Sequence, residues 1–253
     1  MERIAEGRTA EIFAWKKGQV LKLFYPATNN ALHEYEMGRL VVASGVNAPR
    51  VIDRIEVDGR DGIIYERVDG VTMLDALRER VWRVGTLARQ FAERHVAMHT
   101  HTVPKLPALK DRLARKINDA DLLDDNLRSR VLALLDTLPD GDTVCHGDFH
   151  PGNVMLTANG AAVIDWIDAA RGDSLADVAR TCVLMAAKSE GTVVELLRGM
   201  FRRAYLRRYN ALCHVDRSRL AQWQVVVAAG RLSEGIDDEN AGLRRMVREG
   251  LNA

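Results

Sequence analysis

The run Val144-Cys145-His146-Gly147-Asp148-Phe149-His150-Pro151-Gly152-Asn153, followed by Val163-Ile164-Asp165-Trp166, constrains this chain more than any other feature. An aspartate is followed by an asparagine five residues on, and then by a second aspartate at the end of another apolar run. Gly147, Pro151 and Gly152 let the intervening loop turn tightly. Asp165 follows Ala161-Ala162-Val163-Ile164, which reads as a buried strand and brings its carboxylate out at a strand end. This order and spacing suit phosphoryl transfer, which asks a protein for positioning and charge neutralisation rather than covalent help. Asp148 is placed to meet the proton of an acceptor hydroxyl. Asn153 and Asp165 offer oxygens to Mg²⁺, a hard cation that prefers them. The plain alternative is a surface turn rich in Asp, Asn, Gly and Pro. Three polar residues in this order on strand-like runs speak against it.

The rest of the chain reads as two parts. Residues 1–68 are β-rich with one helix. Glu11–Trp15 and Val20–Tyr25 flank the turn Lys16-Lys17-Gly18, a helix is expected over 28–43, and Val51–Val57 and Gly62–Val68 flank Asp58-Gly59. The character changes near Val68-Asp69-Gly70. Residues 69–253 are mostly helical, with helices expected over 85–101, 123–138, 175–187, 192–210 and 217–234. Short strands around 143–146, 153–157 and 161–165 carry the motif. With 253 residues and 47% hydrophobic content the chain can bury a substantial core. A net charge of +1 gives no global argument for nucleic acid or a membrane surface. Cys145, Cys182 and Cys213 are odd in number and widely spaced, so they read as reduced thiols of a cytoplasmic protein. No apolar run approaches the ~18 residues of a membrane span.

His146–Asn153 and Ile164-Asp165-Trp166 closely resemble the aminoglycoside phosphotransferase/choline kinase-like superfamily. The resemblance implies an α+β, protein-kinase-like bilobal fold, with a small β-rich N-terminal lobe carrying one helix and a larger, mostly helical C-terminal lobe. It also implies an ATP- and Mg²⁺-dependent kinase, GTP being open as the donor, with Asp148 as catalytic base and Asn153 and Asp165 on the metal. Lys22, in a Val-Leu-Lys-Leu strand, looks like the lysine that contacts the α- and β-phosphates. Its expected partner is Glu34, fifteen residues before Pro49, with Glu36 as the alternative. Glu6-Gly7-Arg8-Thr9-Ala10 sits where a phosphate-covering loop belongs, with Gly7 and Thr9 near phosphate oxygens. Tyr65-Glu66-Arg67-Val68 resembles the hinge, where the backbone of Glu66 and Val68 would meet the base. His146 and Asp177 look like supports of the catalytic loop, and Met98-His99 like scaffold. Gly147 stands where protein kinases have Arg, Asp165-Trp166-Ile167 replaces Asp-Phe-Gly, and no Ala-Pro-Glu segment follows. These departures favour a small-molecule acceptor over a protein Ser/Thr kinase. A non-catalytic nucleotide-binding protein would be expected to lack one of Lys22, Asp148, Asn153 and Asp165, and all four are present.

The acceptor is expected to be a hydroxyl of an aminoglycoside-like antibiotic, amino alcohol, sugar or hydroxy amino acid. An aminoglycoside would want acidic residues, and Glu234, Asp237, Asp238 and Glu239 form a cluster. A choline-like ligand would want an aromatic cage. Trp166, Phe201, Tyr205, Tyr209 and Trp223 are available for one, although Phe201 and Tyr205 at i, i+4 read more simply as core.

Overall fold

A computed structural model describes residues 1–28, 30–186 and 192–252. Asn29 and Ala187, which the sequence reading puts inside helices, lie outside the described residues. The N-terminal part is a five-stranded antiparallel sheet of β1 (Arg3–Glu6), β2 (Ala10–Ala14), β3 (Gln19–Phe24), β4 (Val51–Val57) and β5 (Arg60–Glu66), in the order β1-β2-β3-β5-β4. Asp58 and Gly59, both at positive φ, close a two-residue turn between β4 and β5 and pair Val57 with Arg60. The strand expected over 62–68 therefore begins two residues earlier. Helix α1 (Ala31–Ala43) lies on the sheet and buries Ala31, Glu34, Met37 and Val41 along one stripe. It is preceded by a short 3₁₀ turn at Pro26–Thr28, so it starts three residues later than expected.

The larger part is helical. After β6 (Val71–Thr72) come α2 (Met73–Glu79), α3 (Val84–Met98), α4 (Leu109–Asn118) and α5 (Asp125–Thr137). The motif strands follow: β7 (Thr143–Cys145), β8 (Val154–Thr157), β9 (Gly160–Val163) and β10 (Ala170–Gly172). Then come α6 (Ser174–Ala186), α7 (Thr192–Leu212), α8 (Arg217–Arg231) and α9 (Asp237–Gly250). Side-chain caps start three of these helices. Thr72 accepts from Asp75 N, Asp124 from Leu127 N and Asp216 from Arg219 N. Gly235, left-handed at φ 63°, ends the turn that follows α8. The two parts meet through one continuous core region in which Met37 and Val41 of α1 join Met73, Leu87 and Phe91. Phe91 stacks on Phe149 at 4.2 Å between ring centres and meets Phe201 and Tyr205 edge-on. This aromatic layer lies under the loop that follows β7. Among the described residues, no helix is long and apolar enough to cross a membrane.

Candidate active site

The loop 146–153 is shaped by its own residues first. Strand β7 pairs with β10 and delivers the chain to His146. Gly147 takes φ 78°, and a Cβ there would stand 2.4 Å from the Asp168 carbonyl oxygen and 2.6 Å from the Arg112 guanidinium. Only glycine fits. His150 Nδ1 accepts from Gly152 N at 3.0 Å, and Pro151 opens the 3₁₀ turn that ends at Asn153. The β8–β9 hairpin then folds the chain back, and Ile164 N donates to the Asn153 carbonyl at 3.0 Å. That one backbone bond sets Asp165 beside Asn153. Asp165 is itself left-handed at φ 65°, an uncommon geometry for a residue other than glycine.

Helix α6 holds the loop from beneath. Asp177, fully buried, accepts from His146 N at 2.7 Å and from Gly147 N at 2.9 Å. Arg180 Nε donates to the Gly147 carbonyl at 3.0 Å, and Thr181 Oγ1 donates to the Phe149 carbonyl at 2.8 Å. His146 accepts from Asp148 N at Nδ1, so its Nε2–H donates to the Ile164 carbonyl at 3.0 Å and ties the loop to the Asp165 segment. The carboxylate of Asp177 is also met by two imidazoles, His95 Nε2 of α3 at 3.1 Å and His99 Nε2, at the cap that ends α3, at 3.3 Å. Their Nδ1 atoms contact the hydroxyls of Tyr205 (2.7 Å) and Tyr209 (2.8 Å) on α7. His95, His99 and Asp177 are spaced as metal ligands could be. Each imidazole nevertheless has a partner at both nitrogens, which makes this a closed hydrogen-bond network.

Asp148 Oδ2 lies 3.4 Å from His150 Nε2, and its Oδ1 lies 3.6 Å from Arg180 Nη2. Burial alone would raise its pKa. The hydrogen bond from His150 and the charge of Arg180 outweigh that and hold the carboxyl well below the usual range. Asn153 Nδ2 donates to the Asp148 carbonyl at 3.0 Å and approaches its Oδ2 at 3.4 Å. With the amide nitrogen so used, the amide oxygen is the end left for a cation. Asp165 Oδ1 accepts from Lys22 Nζ at 2.9 Å. The Asn153 and Asp165 oxygens are the donor chemistry that suits Mg²⁺.

Lys22 sits on β3 opposite Ile12 and Ile63. Its Nζ is 2.8 Å from both oxygens of Glu34, which also accepts from the Tyr65 hydroxyl at 2.8 Å. Glu36 faces solvent. Burial would lower the Lys22 ammonium, but the carboxylates of Glu34 and Asp165 keep its pKa raised. Lys22, Glu34 and Asp165 thus form one cluster, and Asp148 and Asn153 another. The backbone bond between Ile164 and Asn153 joins the two. Gly7 and Thr9 form the turn between β1 and β2, with Gly7 N donating to the Ala10 carbonyl at 2.9 Å. Ala10 lies opposite Phe24, two residues past Lys22. Glu66 ends β5 and Val68 lies in the segment between the sheet and β6.

Of the two acceptor features, the acidic cluster differs from expectation, while Phe201 and Tyr205 are core as their spacing suggests. Glu234 accepts from Lys116, Arg180 and Arg231, and Glu239 is buried against Arg231. Only Asp237 and Asp238 of that cluster are exposed. The aromatic set is no open cage, because Trp166, Phe201, Tyr205, Tyr209 and Trp223 are all buried. Arg180, Thr181 and His95 support the loop without having been singled out in sequence. The His95–His99 and Tyr205–Tyr209 spacings, each i, i+4, were the available signal.

A profile of the phosphotransferase enzyme family matches residues 1–223. Solved structures with the same fold include a thermostable mutant of aminoglycoside phosphotransferase APH(4)-Ia in its apo form. It is 19% identical, with 99% of this chain and 93% of that one covered and a TM-score of 0.69. Choline kinase from Cryptosporidium parvum Iowa II is 15% identical over 99% of this chain and 87% of its own, at a TM-score of 0.58. Aminoglycoside phosphotransferase APH(3'')-Id from Streptomyces rimosus is 18% identical over 90% and 92%, at 0.59. No curated protein matches by sequence. With a family profile spanning most of its length and the kinase-like fold beneath the motif, the chain belongs to the phosphotransferase enzyme family.

Proposed function

We propose that the protein moves the γ-phosphoryl group of ATP, or of GTP, to a hydroxyl of a small molecule. The supporting observation is the convergence of Asp148, Asn153 and Asp165 through the Ile164–Asn153 backbone bond, with the Lys22–Glu34 pair reaching Asp165. The acceptor oxygen forms a bond to the γ-phosphorus as the bond from that phosphorus to the bridging oxygen breaks. The hydroxyl proton passes to an Asp148 oxygen and the nucleoside diphosphate leaves. Asp148 has a depressed pKa and remains ionised at neutral pH. It therefore orients the hydroxyl and takes the proton late, as a loose transition state requires. The Asn153 amide oxygen and the Asp165 carboxylate would hold Mg²⁺, which would supply charge neutralisation at the phosphates. Lys22, oriented by Glu34, is placed for the α- and β-phosphates. The Gly7–Thr9 turn covers them, and the backbone of Glu66 and Val68 faces the base.

Acceptor-dependent turnover tests this reading. Asp148→Asn is expected to lower it by about 10²- to 10⁴-fold, the usual contribution of a positioned base. Nucleotide affinity should stay within about twofold by calorimetry. Near-normal turnover in that variant would remove Asp148 from the reaction.

A further inference from the structure

The left-handed backbone of Asp165, at φ 65°, costs free energy in an L-residue and persists only where the surroundings fix the chain on both sides. Ahead of Asp165 the chain is held at three points. Asn47 Nδ2 donates to the Ala161 carbonyl at 2.8 Å, Val163 N donates to the Asn47 carbonyl at 3.1 Å, and Ile164 N donates to the Asn153 carbonyl at 3.0 Å. Beyond Asp165, Ala169 N closes a turn on the Trp166 carbonyl at 3.0 Å. The next carbonyl in that turn, of Ile167, lies 3.0 Å from Nε2 of His33, a residue 134 positions away in sequence. A carbonyl can only accept, so Nε2 carries the proton and donates it.

His33 belongs to α1 and directly precedes Glu34. Helix α1 therefore reaches Asp165 by two routes. Glu34 acts on the carboxylate through Lys22, which is 2.8 Å from Glu34 Oε1 and 2.9 Å from Asp165 Oδ1. His33 acts on the main chain two residues further on. The first route fixes one oxygen and leaves the carboxylate free to turn about it. The second fixes the backbone from which that side chain springs, and with it the direction of the carboxylate. His33 is exposed, and β9 is held through Asn47 without it, so the fold does not depend on this imidazole.

We propose that His33 is a positioning residue for the metal site, its hydrogen bond to Ile167 holding the Asp165 carboxylate ready for the cation. This rests on the phosphotransferase reading above, which puts Mg²⁺ on Asp165. Two measurements on the full chain test it: calorimetric titration with AMP-PNP at rising Mg²⁺, and hydrogen exchange by NMR without nucleotide or metal. His33→Ala is expected to raise the Mg²⁺ concentration that half-saturates nucleotide binding by about tenfold or more, the usual cost of losing a group that orients a metal ligand. Exchange of the Ile164 and Ala169 amides should quicken, while metal-free AMP-PNP affinity and melting temperature stay as in wild type. His33→Gln carries an amide N–H the same number of bonds from Cβ as Nε2–H, and should restore both readouts. Unchanged Mg²⁺ dependence in His33→Ala, with or without faster exchange, overturns the proposal. Failure of His33→Gln to restore the wild-type values overturns it too, because the hydrogen bond would then not be the cause. If wild type binds AMP-PNP equally well with and without Mg²⁺, the assignment of Asp165 to the metal fails, and His33 has nothing to position.

Discussion

Acidification from about pH 7 to pH 5 should destabilise this protein through one residue, His95. The ring is fully buried, stacks on Phe149 at 4.1 Å, and is hydrogen-bonded at both nitrogens. Burial first, and then the neighbouring His99, hold its pKa down at about 3. An exposed histidine in the unfolded chain titrates near ~6.5. Between those values the unfolded chain binds a proton that the folded chain refuses. The stability is therefore complete above about pH 6.5 and is lost progressively as the pH falls toward 3. One proton corresponds to about 1.4 kcal/mol per pH unit, so the step from pH 7 to 5 removes about 2 kcal/mol. His95→Phe keeps an aromatic ring against Phe149 and abolishes this titration. The variant starts weaker by roughly 1–3 kcal/mol, because Tyr205 and Asp177 each lose a partner. Urea unfolding of both proteins at pH 7, 6 and 5 reads the difference. Wild type is expected to lose about 2 kcal/mol more than His95→Phe across the range. Parallel pH profiles would refute the assignment of a neutral, buried His95.

Two further outcomes follow from the site. Gly147→Ala places a Cβ 2.4 Å from the Asp168 carbonyl oxygen at a positive φ. It should cost about 2–4 kcal/mol in chemical denaturation and abolish transfer; a variant of unchanged stability would show that the loop relaxes freely. Asp165→Ala should weaken Mg²⁺-dependent nucleotide binding at least tenfold, about 1.4 kcal/mol, while leaving metal-free binding little changed. Equal affinities with and without the cation would take Asp165 off the metal.

Sequence revealed most where local rules decide. The Asp58-Gly59 turn, the glycines and proline of the catalytic loop and the apolar stripes of α3, α5 and α6 are written within a few residues of where they act. Glu34 and Glu36 are not separable from sequence; the fold separates them, because Glu34 lies on the buried stripe with Ala31, Met37 and Val41 while Glu36 is exposed. Other features depend on residues far apart in sequence. Strand β1 escaped notice because all four of its residues are exposed and show no alternation. Helix α9 is densely charged, with Leu243 and Val247 as its buried apolar residues, so its stripe is too narrow to stand out. The partners of Glu234 come from α4, α6 and α8. Nothing local shows that an apparently acidic cluster is neutralised by three separate helices.

The network around Asp177 has a consequence for how the protein is made. Its members come from α3, from the loop at 146–147, from α6 and from α7 as far as Tyr209. A ribosome that has released only the first 186 residues has already synthesised Lys22, Asp148, Asn153 and Asp165. The two histidines behind the loop still lack their tyrosines at that point. The network behind the loop is therefore completed last, when α7 supplies Tyr205 and Tyr209 to His95 and His99.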